Sequence, residues 1–502
     1  MEKKVSSAIL LFVVVIIIVI SLFIYFIYFP IHPKEVEAKE QINDFDPTTD
    51  LKVIFRIDRI RKIDFERGGE PLVTLRIKID GKSYEVGKWK GIDVYPRWRH
   101  IQDVNDSKEN VSIEVQLFEI RNDRRILCDI SPRKGEFSEE KTLKLFYSLK
   151  NGRWQGDDYL KDLSGYGHAG GYEDGHIEND YEIWFDIYQT DADGDRLTWY
   201  EEVFIYKTNP MESDIGKDYD NDSLPIEWED KYGYNPFIPD NINLDEDNDG
   251  LTTYEEYLMY EWHADPFRQD IFVEVDFMEN RFFGHNIFPE YSKEKVISAF
   301  SKHNIMLHID DKLEGGEILP YEKYFTPEKL SIYYKKYFLH DGKNKWREGI
   351  FRYCVFAHYT FPSRKNVAGY SYWPTERDKF NCFVIGIRVI KNYRIKPIAR
   401  ETAIASLFMH ELGHTLGLFW HTYNGIDNST CNYPWLEGWR KYENYKSCMN
   451  YRYAWNLIDY SNGSHGENDF NDWAKIDPAF FEKNFFAEEP ILFYFPYKSY
   501  KK

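Results

Sequence analysis

Cysteine is scarce in this chain, five in 502 residues. That is too few for a scaffold built on disulfides, though enough for a couple of staples. Basic charge is also in deficit. Sixty-four Lys and Arg stand against 84 Asp and Glu, for a formal charge of −20. A general nucleic-acid binder would carry a basic face, so no nucleic-acid partner is expected. No CxxC spacing supports a cysteine zinc site, and no Cys or Asp switch marks a zymogen. What is abundant is apolar and aromatic: 43% and 18% of residues, enough to bury real cores. The length allows about three domains.

Residues 9–29 form an unbroken run without a charge. As a helix it would reach about 30 Å, the hydrocarbon thickness of a bilayer. Lys3 and Lys4 precede it, and Pro30 and Pro33 follow. The bulky end at Tyr28-Phe29-Pro30 lacks the small residues of a cleavage site, so a retained signal-anchor over 1–33 is expected. A long, cleaved signal peptide is the competing reading. The expected localisation is the cell membrane, single-pass, with the body on the extracellular side, or secreted if the segment is removed. Sequons at Asn105, Asn110, Asn221, Asn428 and Asn462 suit that side.

Alternating segments follow at 51–57, 73–79, 111–117, 143–149 and 182–188, with no comparable helix-period stretch between them. They predict an antiparallel β-sandwich over 46–190. It faintly resembles the calcium- and phospholipid-binding sandwich domains but carries no diagnostic motif. A structural or interaction module is the reading adopted, with its ligand open.

The acidic excess is concentrated. Residues 191–256 hold twenty Asp and Glu against four Lys and Arg. The pattern is a repeat: Asp191-x-Asp193-x-Asp195, Asp218-x-Asp220-x-Asp222 and Asp245-x-Asp247-x-Asp249, each start 27 residues after the last. Glu202, Glu229 and Glu256 fall at the twelfth position, and Leu197, Leu224 and Leu251 two residues after each third Asp. Carboxylates at positions 1, 3, 5 and 12 of a loop wrap a Ca²⁺ ion. The period is too short for paired EF-hands, which need about 36 residues each. The array over 191–266 resembles thrombospondin type 3 calcium repeats. Position 6, where Gly would ease the turn, is Arg196 in the first unit and Ser223 in the second.

The last part, 267–502, carries the chemistry. Strands are predicted at 270–276, 305–309, 351–359 and 380–389, and helices at 292–302 and 400–416. On the second helix lies His410-Glu411-Leu-Gly-His414-Thr-Leu-Gly417, followed by His421. Two His one turn apart can present imidazoles to one Zn²⁺, and Glu411 can serve as base for a water at that metal. Gly417 suits the turn that ends the helix.

Ser447-Cys448-Met449-Asn450-Tyr451 resembles the Met-turn of metzincin metalloproteases, and 410–421 their zinc motif. The resemblance implies Met449 as an apolar floor beneath the metal and Tyr451 as an oxyanion-stabilising catalytic group. It also implies a sheet edge along which a peptide substrate pairs. It places a third His at 420, which is Trp here. His421 is the expected third ligand, and Asp427 the substitute. Cys431–Cys448 and Cys354–Cys382 are possible disulfides, the first worth roughly 3 kcal/mol in the chain-entropy model. Cys128 is unassigned.

The expected fold class is multidomain: transmembrane helix, antiparallel β-sandwich, calcium-binding repeats and an α/β metzincin-like catalytic domain. The expected function is a membrane-anchored extracellular zinc endopeptidase acting on peptide or protein substrates, with structural Ca²⁺. A calcium-binding surface or adhesion protein with an inactive protease-like domain is the alternative. A zinc hydrolase of a non-peptide amide is a third reading.

Overall fold

The computed structural model describes residues 45–63, 70–105, 107–133, 137–158, 167–171, 180–280, 284–311, 315–363, 367–373, 381–392, 397–480 and 491–496. Eleven strands come first: β1 (Lys52–Lys62), β2 (Leu72–Ile79), β3 (Lys82–Lys90), β4 (Asp93–Val94), β5 (Trp98–Asp103), β6 (Asn110–Arg121), β7 (Arg124–Cys128), β8 (Leu143–Ser148), β9 (Trp154–Gly156), β10 (Gly167–Gly170) and β11 (Tyr181–Gln189). They make two antiparallel sheets. One runs β10-β11-β1, with β4 and β5 pairing along β1; the other runs β3-β2-β6-β8-β9, with β7 on β6.

Strand β6 illustrates the packing. Val111, Ile113, Val115 and Leu117 face the inter-sheet core, and the residues between them are half-buried or exposed. That period of two is what a strand with one wet face requires. Strands β1 and β11 depart from it, being buried on both faces. Their outer faces meet the rest of the chain. Trp184 of β11 packs with Leu224, Trp228 and Tyr232 of the repeats and with Met306.

Charged groups cross that same contact in hydrogen-bonded pairs, as burial demands. Arg59 bonds Asp93 at 2.7 Å and His308 Nδ1 at 3.0 Å. Arg61 pairs with Glu182 and donates to the Leu307 carbonyl at 3.0 Å. Arg268 reaches His168 Nδ1 at 3.0 Å, and His308 Nε2 lies 2.6 Å from Asp270. Sandwich, repeats and C-terminal sheet thus share one buried polar layer.

The C-terminal sheet contains β12 (Asp270–Asn280), β13 (Gly284–His285), β14 (Met306–Asp310), β15 (Ile318–Leu319), β16 (Phe351–Ala357), β17 (Val367–Trp373), β18 (Cys382–Gly386) and β19 (Ile491–Pro496). Its order is β13-β12-β16-β18-β17-β19, with β14 and β15 also on β12. Strands β14, β12, β16 and β18 run parallel, whereas β17 and β19 are antiparallel to their neighbours.

The helical segments are α1 (Glu201–Tyr206, π-type), α2 (Ile226–Tyr232), α3 (Thr253–Leu258), α4 (Glu290–Ser301), α5 (Pro327–Tyr333), α6 (Ile387–Asn392), α7 (Pro397–Thr415) and α8 (Glu437–Lys441), besides short 3-10 and π turns. Ile271, Val273 and Val275 of β12 face α4 and α7; Phe272 and Met278 face α5 and the third repeat.

The expected fold class is corrected on two counts. The described architecture is mostly β, in sandwiched and open sheets with few and mostly short helices, and no metzincin-like domain is shown. The reason is that the motifs at 410–421 and 447–451 specify one helix and one turn; they do not dictate the sheet to which these attach. Among the described residues, no helix is long and apolar enough to cross a membrane. The segment expected to do so, 9–29, lies outside the described residues, and the single-pass membrane localisation is withdrawn.

The disulfide expectation also changes. All five cysteines are buried thiols outside any disulfide. Cys354 of β16 stands opposite Phe383 of β18, and Tyr353 opposite Cys382. Being one register step apart, the two thiols point to opposite faces of the sheet, and they belong to different cores. Burial lifts the thiols of Cys354, Cys382 and Cys448 well above the ordinary range, which favours the protonated form in the core.

Candidate metal centre

Helix α7 begins at Pro397, whose missing N–H costs nothing in a first turn. From Ala403 to Thr415 it is buried all round, with Ala403, Leu407, His410 and His414 along one side. Its end is a Schellman turn. Gly417 takes φ +90°, Leu418 N donates to Gly413 O at 3.0 Å, and Gly417 N to His414 O at 3.2 Å. A Cβ at Gly417 would also lie 2.9 Å from Phe480.

That turn does more than stop the helix. It brings the Leu418 carbonyl to His414, whose Nδ1 donates to it at 2.6 Å. The Met-turn does the same for the other ring: His410 Nδ1 donates to the Cys448 carbonyl at 2.9 Å. Such bonds fix ring orientation and leave the Nε2 atoms for a metal. Both Nε2 atoms point toward one carboxylate: His410 lies 3.1 Å from Asp427 Oδ1 and His414 3.4 Å from Asp427 Oδ2. The three donors lie within 4.8 Å of one another.

The structure therefore brings Asp427, and not His421, to the two histidines. After Gly417 the chain turns tightly, with Thr422 N on Phe419 O at 2.7 Å and Thr422 Oγ1 on Gly417 O at 2.9 Å. Phe419 turns inward, while Trp420 and His421 project to solvent with rings stacked at 3.4 Å. Asp427 returns with φ +53°, its N–H bonded to the Met449 carbonyl at 3.2 Å. Met449 lies under the histidine helix, its sulfur 2.7 Å from where a Cβ on Gly413 would be, so the missing side chain lets the two pack closely.

Glu411 is fully buried between α7 and β17. Ser371 Oγ donates to Glu411 Oε2 at 2.8 Å and also lies 2.8 Å from the Glu411 carbonyl. Oε1 has no hydrogen-bond partner among the described residues. Gly369 permits this approach, for a Cβ there would sit 2.6 Å from Oε1. Burial lifts the Glu411 carboxyl well above its ordinary range; Ser371 opposes that and Asp427 adds to it. Burial, aided by His410, pushes His414 down to about 4, which keeps the imidazole neutral as a ligand must be. Asp427 goes the other way. Burial raises its carboxyl, but His414, His410 and the Tyr451 hydroxyl outweigh this and hold it below the usual range. The Tyr451 ring stacks on His410 at 5.9 Å. Ser371 and Gly369 had no sequence signal, since neither lies near a recognisable motif.

The repeats gather carboxylates differently. Asp191, Asp193 and Asp195 converge, as do Asp218, Asp220 and Asp222. One further group closes each loop from the side: Asp195, Glu202 and Asp214 in the first, Asp222, Glu229 and Asp240 in the second. Asp214 N bonds Asp195 at 2.9 Å, Asp240 N bonds Asp222 at 2.8 Å, and Asp270 N bonds Asp249 at 2.7 Å. Asp214, Asp240 and Asp270 fall outside the regular spacing, which is why the repeat did not reveal them. In the third unit, Asp245 accepts from Gly250 N at 3.0 Å, Asp247 from Asp249 N at 3.1 Å. Glu256 is buried, and burial together with Asp249, Asp270 and Asp247 lifts its carboxyl far up. Burial and neighbouring carboxylates likewise push Glu202 and Glu229 up to about 8. Position 6 has positive φ in all three loops: Arg196 +80°, Ser223 +85° and Gly250 +96°.

No protein-family model matches the chain, and no curated protein matches it. Among solved structures it is similar to Extended-Synaptotagmin 2 (its SMP domain with two C2 domains), at 10% identity over 28% of each chain and a TM-score of 0.17. It is similar to a C2 domain of a plant Extended Synaptotagmin 1, at 9% identity over 28% of this chain and 94% of that one, TM-score 0.17. A third is human GIVD cytosolic phospholipase A2, at 9% identity over 29% of this chain and 18% of that one, TM-score 0.17. The chain thus spans well under a third of the first relative's length. TM-scores this low carry no argument about fold or activity.

Proposed function

We propose that this protein is a zinc-dependent hydrolase of peptide bonds, its metal held by His410, His414 and Asp427. The observation that carries the reading is the convergence of two imidazole Nε2 atoms and one carboxylate, each ring fixed from behind by a carbonyl. Two neutral nitrogens and one carboxylate oxygen are a donor set that zinc favours, with a position left over. Zinc bound there would supply Lewis acidity and a water of lowered pKa. The motif likeness to metzincins over 410–421 and 447–451 supports the same chemistry.

The chain's own groups have separate tasks. Glu411, one residue from His410 on the same helix, keeps its Oε1 without a hydrogen-bond partner among the described residues, so it can take a proton from water and return it to a leaving amine. Ser371 pins the other oxygen, so the carboxylate cannot rotate away. The Tyr451 hydroxyl, bonded to Asp427, can turn to an oxyanion. Met449 fills the floor with an apolar, adaptable side chain. The acidic repeats act as structural Ca²⁺ sites: the doubly unbonded carboxylates of Glu229 and Glu256 are buried, which a hard cation would compensate.

The test is metal analysis of the purified chain together with cleavage of casein or a quenched peptide, with Glu411→Gln alongside. The reading requires one zinc per chain and cleavage that the variant loses while keeping its metal. A chain without zinc, or a variant as fast as the parent, removes it. A zinc-free chain that still bound calcium would leave the adhesion reading.

A further inference from the structure

Strand β17 borders the candidate centre. Gly369 and Ser371 lie against Glu411, and the strand pairs with β18 on one side. Without β19, its other side would be the open edge of the sheet. An open edge beside a hydrolytic centre is where an extended peptide can add as one more strand, held by main-chain hydrogen bonds. That edge is not open. Residues 491–496, Ile-Leu-Phe-Tyr-Phe-Pro near the end of the chain, pair antiparallel along it, with Ser371 opposite Phe493 and Gly369 opposite Phe495. The same strand approaches α7, the helix carrying both histidines. His410, Glu411 and His414 are fully buried in this arrangement.

We propose that β19 is an intramolecular occupant of the peptide-binding edge, so that the chain's own tail must leave β17 before an extended peptide can enter. The inference rests on the peptidase reading for its consequence, and on the strand register for its geometry. One edge accepts one strand, so tail and substrate exclude each other. The tail is composed of strong strand formers, and Pro496 closes it with a residue that donates no hydrogen bond. The substrate class this implies is an extended polypeptide segment rich in apolar and aromatic residues.

The test uses two forms of the chain, one ending at residue 490 and one full-length with Phe493→Pro and Phe495→Pro. Both carry Glu411→Gln so that binding is read without turnover. The probe is a synthetic peptide of residues 491–496. Both forms should bind it at least tenfold more tightly than the full-length Glu411→Gln chain. Amide exchange at 367–373 should rise in the altered forms and fall back when the peptide is added. Folded variants that bind no peptide, with exchange at 367–373 unchanged, overturn the proposal. So does failure of both variants to fold, since β19 would then be a structural strand. With Glu411 intact, shortening the chain should raise cleavage of a quenched apolar peptide at least tenfold. Peptide capture without any cleavage would uphold the tail's occupancy and sink the peptidase reading instead.

Discussion

The repeat array and the histidine centre are two candidate cation sites built on opposite plans. In the repeats, carboxylates crowd one another on loops, and two of the three turn positions hold a non-glycine residue at positive φ. Without a cation, Glu202 and Glu229 retain protons to about pH 8. In the centre the donors sit on a rigid helix and a fixed return loop, and neutral carbonyls orient both rings. The difference is that the crowded carboxylates of the array need the proposed ion to offset their repulsion, whereas the rings of the centre are already oriented without one. Stability should therefore follow calcium, and activity should follow zinc.

The sharpest break between the two is expected at Glu411. Glu411→Gln should lower peptide cleavage by about a hundredfold to ten-thousandfold and leave melting and zinc content unchanged. Next, Asp427→Ala should strip the chain of zinc while His421→Ala keeps it stoichiometric, as read by metal analysis after gel filtration. Equal loss in both would reinstate His421.

Calcium removal should act on the other region. Each site saturated at a hundredfold excess over its Kd contributes roughly 2.7 kcal/mol, so chelation should lower the melting temperature and open 191–266 to proteolysis. The pH dependence follows from the same groups. Glu202 and Glu229 titrate higher in the fold than in the unfolded chain. Without calcium their contribution is fully present below about pH 4.5 and is lost as pH rises through about 8. The calcium-free chain should melt higher at pH 5.5 than at pH 8.5, and added calcium should shrink or reverse that difference. A calcium-free melting temperature that rises across this range would contradict the assignment.

The smallest effect is expected at Ser223. Replacing it with Gly relieves a left-handed backbone and should stabilise the second repeat by up to about 1 kcal/mol, read by thermal melting. Arg196 is the poorer test, because its guanidinium also bonds Asp186 at 3.0 Å.

Much of the site was legible because its signals are local. Two histidines one turn apart, a glycine at a helix end and carboxylates in phase each follow from short-range geometry. What stayed hidden depends on how distant segments meet. Nothing in Gly369-Tyr-Ser371 announces a partner for Glu411; only the sheet order brings β17 there. Counting residues from His414 favoured His421, but a tight turn at 419–422 sends that side chain outward and delays the ligand to Asp427. Cys354 and Cys382 do lie on adjacent strands, and a single step of register sets them on opposite faces. In β1 and β11 both faces are buried because other parts of the chain cover them, so alternation understated their role. The α/β catalytic domain rests on short strand and helix periods over 270–416 and on motifs that cover one helix and one turn, and neither fixes how the sheets of the whole chain are built.

X-ray absorption at the zinc edge of the purified chain tests the central claim most directly. The expected spectrum shows two imidazole nitrogens and a carboxylate oxygen at ~2.0 Å from the metal, lost in Asp427→Ala and unchanged in His421→Ala. A shell of three imidazoles, or a chain that takes up no zinc, would contradict it.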